Sequence, residues 1–402
     1  MTESSTPVVP PTERLYYDDS LRLVFDARVL AHAEWSGTPS VVLDRSAFYP
    51  ESGGQMSDRG TLAGVAVRDV QVDDAGVVHH VLDGPMPAVG AEVQSEIDRA
   101  RRRVHMALHT GQHMLSRALL DVARGETVSS RLGETSCTID IRLPELDERE
   151  AQRAEDLVNS VIDDDVVVRS WFPDAAELAT LALRRAPKVT DHVRVVDVAG
   201  FDVSPCGGTH CTRTAQVGFV RIVGIERYKG MIRVSFHAGR RAREELGADS
   251  TVLRAIARDQ SCGPRDVPAA MERVRADWLA AREALGRARL RLASVVADEW
   301  LAAARAAGSD VVKGVLDEGD AEYVRAVGTR IVASGPVVAC VAARGAEGLH
   351  VFIARGAGSS VDCGALLKRV AAEAGGRGGG RAERAEGRLP HDADWVTLVS
   401  RG

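Results

Sequence analysis

The sequence predicts an α+β protein built from four modules: a small N-terminal β-barrel, an α+β domain carrying a metal site, a helical arm and a small C-terminal α/β domain. Three observations predict it. Residues 15–96 are short β-branched segments broken by Gly, Pro and Asp. Residues 97–248 mix helical and strand-like periods without strict alternation. The stretch 249–308 is dominated by a Gly-poor run of Ala, Arg, Glu and Leu, before mixed α/β texture returns over 309–402. With 402 residues, the chain has room for two or three cores.

Residues 1–14 are polar and Pro-rich, and read as a disordered tail. In the barrel, residues 21–30, 41–43, 65–72 and 77–81 carry the strand pattern. Between them, residues 48–55 read Phe-Tyr-Pro-Glu-Ser-Gly-Gly-Gln, followed by Asp58, Arg59 and Gly60. Paired glycines after a proline mark a turn that needs positive φ or close approach. That loop is either a plain turn or part of a site. Residues 97–122 form a long helix, with Val104, Ala107, Leu108, Met114, Leu115, Ala118 and Leu119 as its apolar stripe. Strands are expected at 136–141, 166–171, 193–198, 217–225 and 231–236, with a helix at 148–162. Residues 267–307 read as a helical hairpin or a coiled-coil arm. A strand at 349–353 and a helix at 365–374 precede a Gly/Arg run.

Composition excludes some classes. The hydrophobic fraction of 45% and charged fraction of 27% are those of an ordinary globular protein. No apolar run approaches the roughly 18 residues that cross a bilayer, and no basic and apolar leader opens the chain. A cytoplasmic protein without a membrane partner is expected. Six cysteines are too few for a disulfide framework and fit a reducing compartment, where Cys beside His more often binds metal. A net charge of −6 argues against a general nucleic-acid coat but leaves room for a local basic face.

His109 and His113 stand four apart on the long helix, so both imidazoles leave one face. Cys206 and His210 sit in Pro-Cys-Gly-Gly-Thr-His, where two glycines let a thiolate and an imidazole converge. One Cys and three His best suit a single Zn²⁺. His105 lies one turn before His109, so either consecutive pair fits the spacing, and Cys211 competes with Cys206. Four ligands fit a structural zinc as well as a catalytic one.

The stretches His-Thr-Gly-Gln-His at 109–113 and Cys-Gly-Gly-Thr-His at 206–210 resemble the editing domain of alanyl-tRNA synthetases and the freestanding AlaX trans-editing proteins. Residues 48–60, 193–201 and 226–233 are similar to the glycine-rich barrel motif and flanking segments of that family. The run Gly375, Gly376, Arg377, Gly378, Gly379, Gly380 and Arg381 resembles the tRNA-binding C-terminal domain of synthetases and long AlaX proteins. The resemblance implies a zinc-dependent editing domain over 97–248. It also implies His109, His113, Cys206 and His210 as ligands of one zinc per chain, with mischarged tRNA(Ala) as partner. The expected reaction is hydrolysis of Ser-tRNA(Ala), and of Gly-tRNA(Ala), to protect translation fidelity, since a pocket sized for alanine rejects an added hydroxyl poorly. Gly53, Gly54, Gln55, Ser129, Ser130 and Thr135 fall where substrate contacts are expected, although the polarity of Ser129 to Thr135 also suits an ordinary turn and strand. The C-terminal run is expected to be a loop that meets phosphates, or else a flexible linker. A full synthetase places its aminoacylation domain before this barrel. The barrel here begins near residue 15, which predicts an editor working in trans, without ATP or aminoacylation. Whether the chain forms a homodimer through the helical arm or the C-terminal domain stays open. Two rivals remain: an editor of Ser-tRNA(Thr), whose second motif typically reads Cys-Arg-Gly-Pro-His, and a non-catalytic tRNA-binding protein with a structural zinc.

Overall fold

A computed structural model describes residues 9–187 and 189–401, which divide into two compact units, Met1–Leu253 and Arg254–Gly402. The fold is α+β throughout. Of the expected N-terminal tail, residues 1–8 lie outside the described residues. The rest is ordered: Thr12 is buried and its hydroxyl donates to the Leu43 carbonyl, while Glu13–Arg14 pairs in parallel with Arg45–Ser46. The tail reading fails for residues 12–14 because polar composition does not reveal a backbone that a neighbouring strand can satisfy.

Six strands open the first unit: β1 (Val24–Trp35), β2 (Thr38–Leu43), β3 (Gly60–Leu62), β4 (Val65–Val72), β5 (Val78–Leu82) and β6 (Glu92–Ile97). They hydrogen-bond in the order β1-β2-β5-β4-β3-β6, and β6 returns to β1, closing a barrel. Period-2 alternation drives this: β1 buries Phe25, Ala27 and Val29 while the residues between them face outwards. Helix α1 (Arg99–Ala123) starts at Asp98, whose carboxylate accepts from the amides of Ala100 and Arg101, and ends at Arg124 in the left-handed region (φ 60°).

After α1 come β7 (Glu126–Leu132), β8 (Cys137–Arg142), α2 (Glu148–Asp163), β9 (Val168–Trp171), α3 (Ala175–Thr180), β10 (Val195–Val198), β11 (Asp202–Pro205), β12 (Val220–Tyr228) and β13 (Met231–Ala238). A four-stranded sheet runs β12-β13-β8-β7 and a three-stranded one β9-β10-β11. Strand β7 was hidden in the sequence because it is a mostly exposed edge carrying only Val128 and Leu132 as apolar residues.

Helix α4 (Gly239–Asp259) leads into the second unit. There α5 (Val267–Ala306) is one unbroken helix of 40 residues, about 60 Å long, so no hairpin turn falls within it. It is followed by β14 (Val311–Leu316), α6 (Ala321–Val332), β15 (Val338–Gly345), β16 (Gly348–Arg355), α7 (Cys363–Ala374), β17 (Arg377–Gly380), β18 (Arg384–Leu389) and α8 (Trp395–Ser400). The sheet order is β14-β15-β16-β18-β17, with β14 and β15 parallel and the other pairs antiparallel. Helices α5 and α6 cover one face; α7 and α8 cover the other. The expected loop at 375–381 is corrected: Gly375 caps α7 with φ 72°, and Arg377 to Gly380 form the fully exposed edge strand β17. Glycine-rich composition reads as a loop, yet these glycines let β17 lie close to β18. A Cβ on Gly380 would come within 2.3 Å of the Arg384 carbonyl oxygen.

Candidate metal centre and its cavity

Helix α1 presents His109 and His113, and the turn after β11 presents Cys206 and His210. One ligand atom from each lies within 4.8 Å of the others, and all but Cys206 are fully buried. Cys206 Sγ is 3.4 Å from both His109 Nε2 and His210 Nε2. A Cβ on Gly208 would sit 2.1 Å from His109 Cε1, so only glycine allows the Cys206–His210 turn to close over the histidine.

Each imidazole is aimed by a partner behind it. His109 Nδ1 donates to Gln55 Oε1 at 2.7 Å, which leaves Nε2 as the metal-facing atom. Gln55 is fully buried; its Oε1 also accepts from the Thr209 amide and its Nε2 donates to Thr209 Oγ1 at 2.8 Å. His113 Nδ1 lies 3.5 Å from Asp202 Oδ2, and Asp202 is held by Arg184 at 2.7 Å. His210 Nδ1 faces Thr110 Oγ1 at 3.2 Å. The electrostatics of Cys206 and His210 suit a divalent metal. Burial opposes ionisation of Cys206, but His109, His113 and His210 together hold its thiol well below the ordinary value. Burial and the neighbouring His109 push His210 down to about 3, a neutral imidazole. Burial would lower His113 too, but the Cys206 thiolate and Asp202 raise it. Three imidazoles and a thiolate form the donor set that Zn²⁺ prefers, and the residues fit that ion.

The two competing residues fall out. His105 opens instead on a cleft with Arg101, Glu134 and Arg241, and burial followed by those arginines pushes it down to about 3. Cys211 is buried and its thiol is pushed up to about 11 by that burial; its amide donates to Thr110 Oγ1.

The barrel loop reaches this site across the first unit. Gly53 and Gly54 have φ of 59° and 88°, and a Cβ on Gly54 would meet the Ser130 carbonyl oxygen at 2.5 Å. The Leu132 amide donates to the Gly54 carbonyl at 2.7 Å, and Gln55 bridges to Leu132. Asp58 anchors the far end of the loop, pairing with the buried Arg102 of α1 at 2.6 Å and accepting from the Tyr49 amide. Because the guanidinium also donates to the Ala47 and Ser20 carbonyls, this buried pair leaves few groups unsatisfied.

A cavity of about 710 Å³ opens onto the cluster, with His109 and Cys206 in its wall. Gly53, Gly54, Ser129 and Ser130 line it, Gln55 lies behind His109, and Thr135 is exposed in the β7–β8 turn away from it. Ser129 Oγ donates to Asp140 at 2.7 Å. Sequence reasoning missed the opposite rim. Arg14, Arg185 and Arg194 line the cavity with Tyr17 and Phe172, whose rings meet edge to face at 5.4 Å. Arg194 donates to the Cys206 and Gly208 carbonyls and stacks over Tyr17, so it also holds the ligand turn. Arg194 lies in the 193–201 segment already singled out, but without a role; the others sit in no motif, so no spacing signal announced them. Gly375 to Arg381 all belong to the second unit.

Comparison with known proteins bears on the same segments. Residues 193–235 match the threonyl and alanyl tRNA synthetase second additional domain, and residues 4–101 match class II (A) tRNA synthetases. Alanine–tRNA ligases are similar over nearly the whole chain. That of Methanopyrus kandleri is 32% identical, covering 94% of this chain and 43% of the ligase, and that of Archaeoglobus fulgidus is 34% identical, covering 94% and 42%. The Thermococcus kodakarensis ligase is 33% identical, covering 95% and 42%. The chain thus spans less than half the length of the curated relatives it matches. Among solved structures, the C-Ala domain from Aquifex aeolicus alanyl-tRNA synthetase is 22% identical, covering 23% of this chain and 85% of that one, with a TM-score of 0.22. Among the described residues, no helix is long and apolar enough to cross a membrane. The chain is an AlaX-like relative of the editing and C-terminal domains of alanyl-tRNA synthetases.

Proposed function

We propose that this chain is a zinc-dependent hydrolase that removes serine, and glycine, from mischarged tRNA(Ala), acting in trans on tRNA charged elsewhere. One observation carries the reading: the Cys/His cluster forms part of the wall of a cavity large enough for an aminoacylated ribose. A purely structural zinc has no need of such an opening.

The chemistry follows from the residues. When bound, zinc would polarise an ester carbonyl, lower the pKa of a water or hold the amino acid in place. Gln55, Asp202 and Thr110 orient the imidazoles, so that the ligands are preorganised. Arg14, Arg185 and Arg194 supply positive charge for the terminal phosphate, and Tyr17 and Phe172 offer stacking faces for a terminal base. The Gly53–Gly54 backbone and the Ser129–Ser130 segment stand where a seryl hydroxyl would be read. Arg377 on exposed β17 and Arg381 just after it are assigned to tRNA phosphates.

The test is deacylation of Ser-, Gly- and Ala-tRNA(Ala), with Ser-tRNA(Thr) alongside. Metal analysis is expected to give one zinc per chain. Seryl ester loss is expected to slow at least about tenfold with chelator or in Cys206→Ala, and to recover with added zinc in the wild type only. A zinc-loaded protein that binds tRNA but leaves every ester intact would sink the catalytic reading. Faster loss from Ser-tRNA(Thr) would move the substrate to threonine tRNA.

A further inference from the structure

Two arginine-rich stretches far apart in the chain meet on the first unit. Residues 99–103 read Arg-Ala-Arg-Arg-Arg at the start of α1, and residues 240–243 read Arg-Arg-Ala-Arg at the start of α4. The three consecutive arginines of α1 take separate roles. Arg102 is buried on Asp58, and Arg101 donates to the Ser57 carbonyl at 2.9 Å with Glu134 3.5 Å away. Arg103 is exposed, as is Arg99 one turn earlier, and neither makes an ion pair among the described residues. On α4, Arg243 is equally free, while Arg240 pairs with Glu244 at 2.6 Å. Between the two stretches lies a cavity of about 670 Å³. Arg99, Arg103, Arg240 and Arg243 line it together with Val104 and Phe219, and among the described residues no carboxylate and no metal ligand does. In a chain with a net charge of −6, four arginines around one opening reverse the sign of the local field. The first turn of α4 holds no acidic residue, so its amide end adds to that field. Glycine lets α4 begin there: Gly239 has φ 59°, and a Cβ on it would come within 2.8 Å of the Val217 carbonyl oxygen.

Two smaller clefts continue the cavity around α1. One of about 230 Å³ shares Arg99, Arg103 and Gln216 with it. Another of about 220 Å³ shares Ala100, Val104 and Arg240, and adds Arg241. Three depressions with common walls form a track across the first turns of the helix, with arginine at each shared wall. A single small anion would fill one depression, whereas a chain charged at every link can follow all three. The guanidinium fork matches phosphate oxygens, and the apolar lining suits the ribose and base edges between them. Resting on the reading of tRNA(Ala) as the partner, we infer that this track holds an RNA strand by its phosphates, independently of β17 on the other unit.

Filter binding of uncharged tRNA(Ala) to the full chain across a salt series tests this. With Arg99→Gln and Arg103→Gln combined, the dissociation constant is expected to rise at least about tenfold and the salt slope to flatten by about two. Arg243→Gln alone, from the other helix, should flatten the slope by about one. The control is Arg149→Gln with Arg153→Gln, an exposed pair at the same spacing on α2 that lines none of the three clefts; it should leave the constant within about twofold of wild type. All these arginines are exposed and free of ion pairs among the described residues, so circular dichroism and zinc content should match wild type in every variant. A wild-type chain that does not bind tRNA(Ala) removes the partner itself. Binding that weakens equally in the two pairs, or in neither, overturns the track alone. Tighter binding of AMP or polyglutamate than of tRNA, with the same dependence on Arg99 and Arg103, would put a mononucleotide or an acidic protein there and overturn the RNA strand.

Discussion

Gly53-Gly54 and the run from Gly375 to Gly380 share a composition and end in different surroundings. The first pair occupies left-handed backbone and presses on the Ser130 carbonyl, so that the next residue, Gln55, can reach the metal cluster. In the second run only Gly375 has positive φ; the following residues form an extended edge strand on the surface of the other unit. A Cβ on Gly379 would meet nothing within 4 Å. Glycine thus serves two ends here: it permits a conformation forbidden to other residues at the site, and it lets two strands approach at the edge of a sheet.

That contrast breaks most sharply at Gly54. Gly54→Ala forces a side chain into positive φ and onto a backbone oxygen, with a strain of about 1–3 kcal/mol. Loop displacement should carry Gln55 away from His109. The expected result is a lower Tm and zinc affinity reduced about 100-fold, read by competition with a chromogenic chelator. Wild-type zinc affinity in this variant would show that the loop does not support the centre.

A narrower cut separates the loop from its one functional side chain. Gln55→Leu keeps the volume and removes the acceptor for His109 Nδ1–H. Zinc affinity should fall about 10- to 100-fold with little change in backbone structure, whereas Gln55→Glu, which still accepts from His109, should retain most of it. Equal losses in both variants would assign Gln55 a packing role instead.

The smallest effects belong to β17. Arg377→Glu combined with Arg381→Glu should weaken tRNA binding and flatten its salt dependence by about two charges, leaving zinc content unchanged. Gly379→Ala, built into open space, should alter neither tRNA affinity nor stability by more than about 0.5 kcal/mol. An unchanged salt slope in the charge-reversed protein would remove β17 from the tRNA surface.

Much of this was legible beforehand, for identifiable reasons. The stripe of α1 and the alternation of β1 read clearly because burial on one face selects apolar residues at the period of the element. The exposed edges β7 and β17 escaped because no such selection acts on them. The i,i+4 spacing of His109 and His113 placed two ligands on one helix face, but His105 satisfied the same rule. Only the packing of α1 against the Cys206–His210 turn separated them.

By itself, then, the sequence determined the class of the fold, most of its elements and a short set of candidate metal ligands that included His105 and Cys211, because periodicity and ligand chemistry are local properties. Tertiary structure decided what surrounds those ligands. Gln55 lies 54 residues before His109 in the chain and Asp202 lies 89 residues after His113, yet hydrogen bonding and charge join each pair at 2.7 Å and 3.5 Å. Such partnerships depend on where separate elements come to rest, and no spacing along the chain encodes that distance.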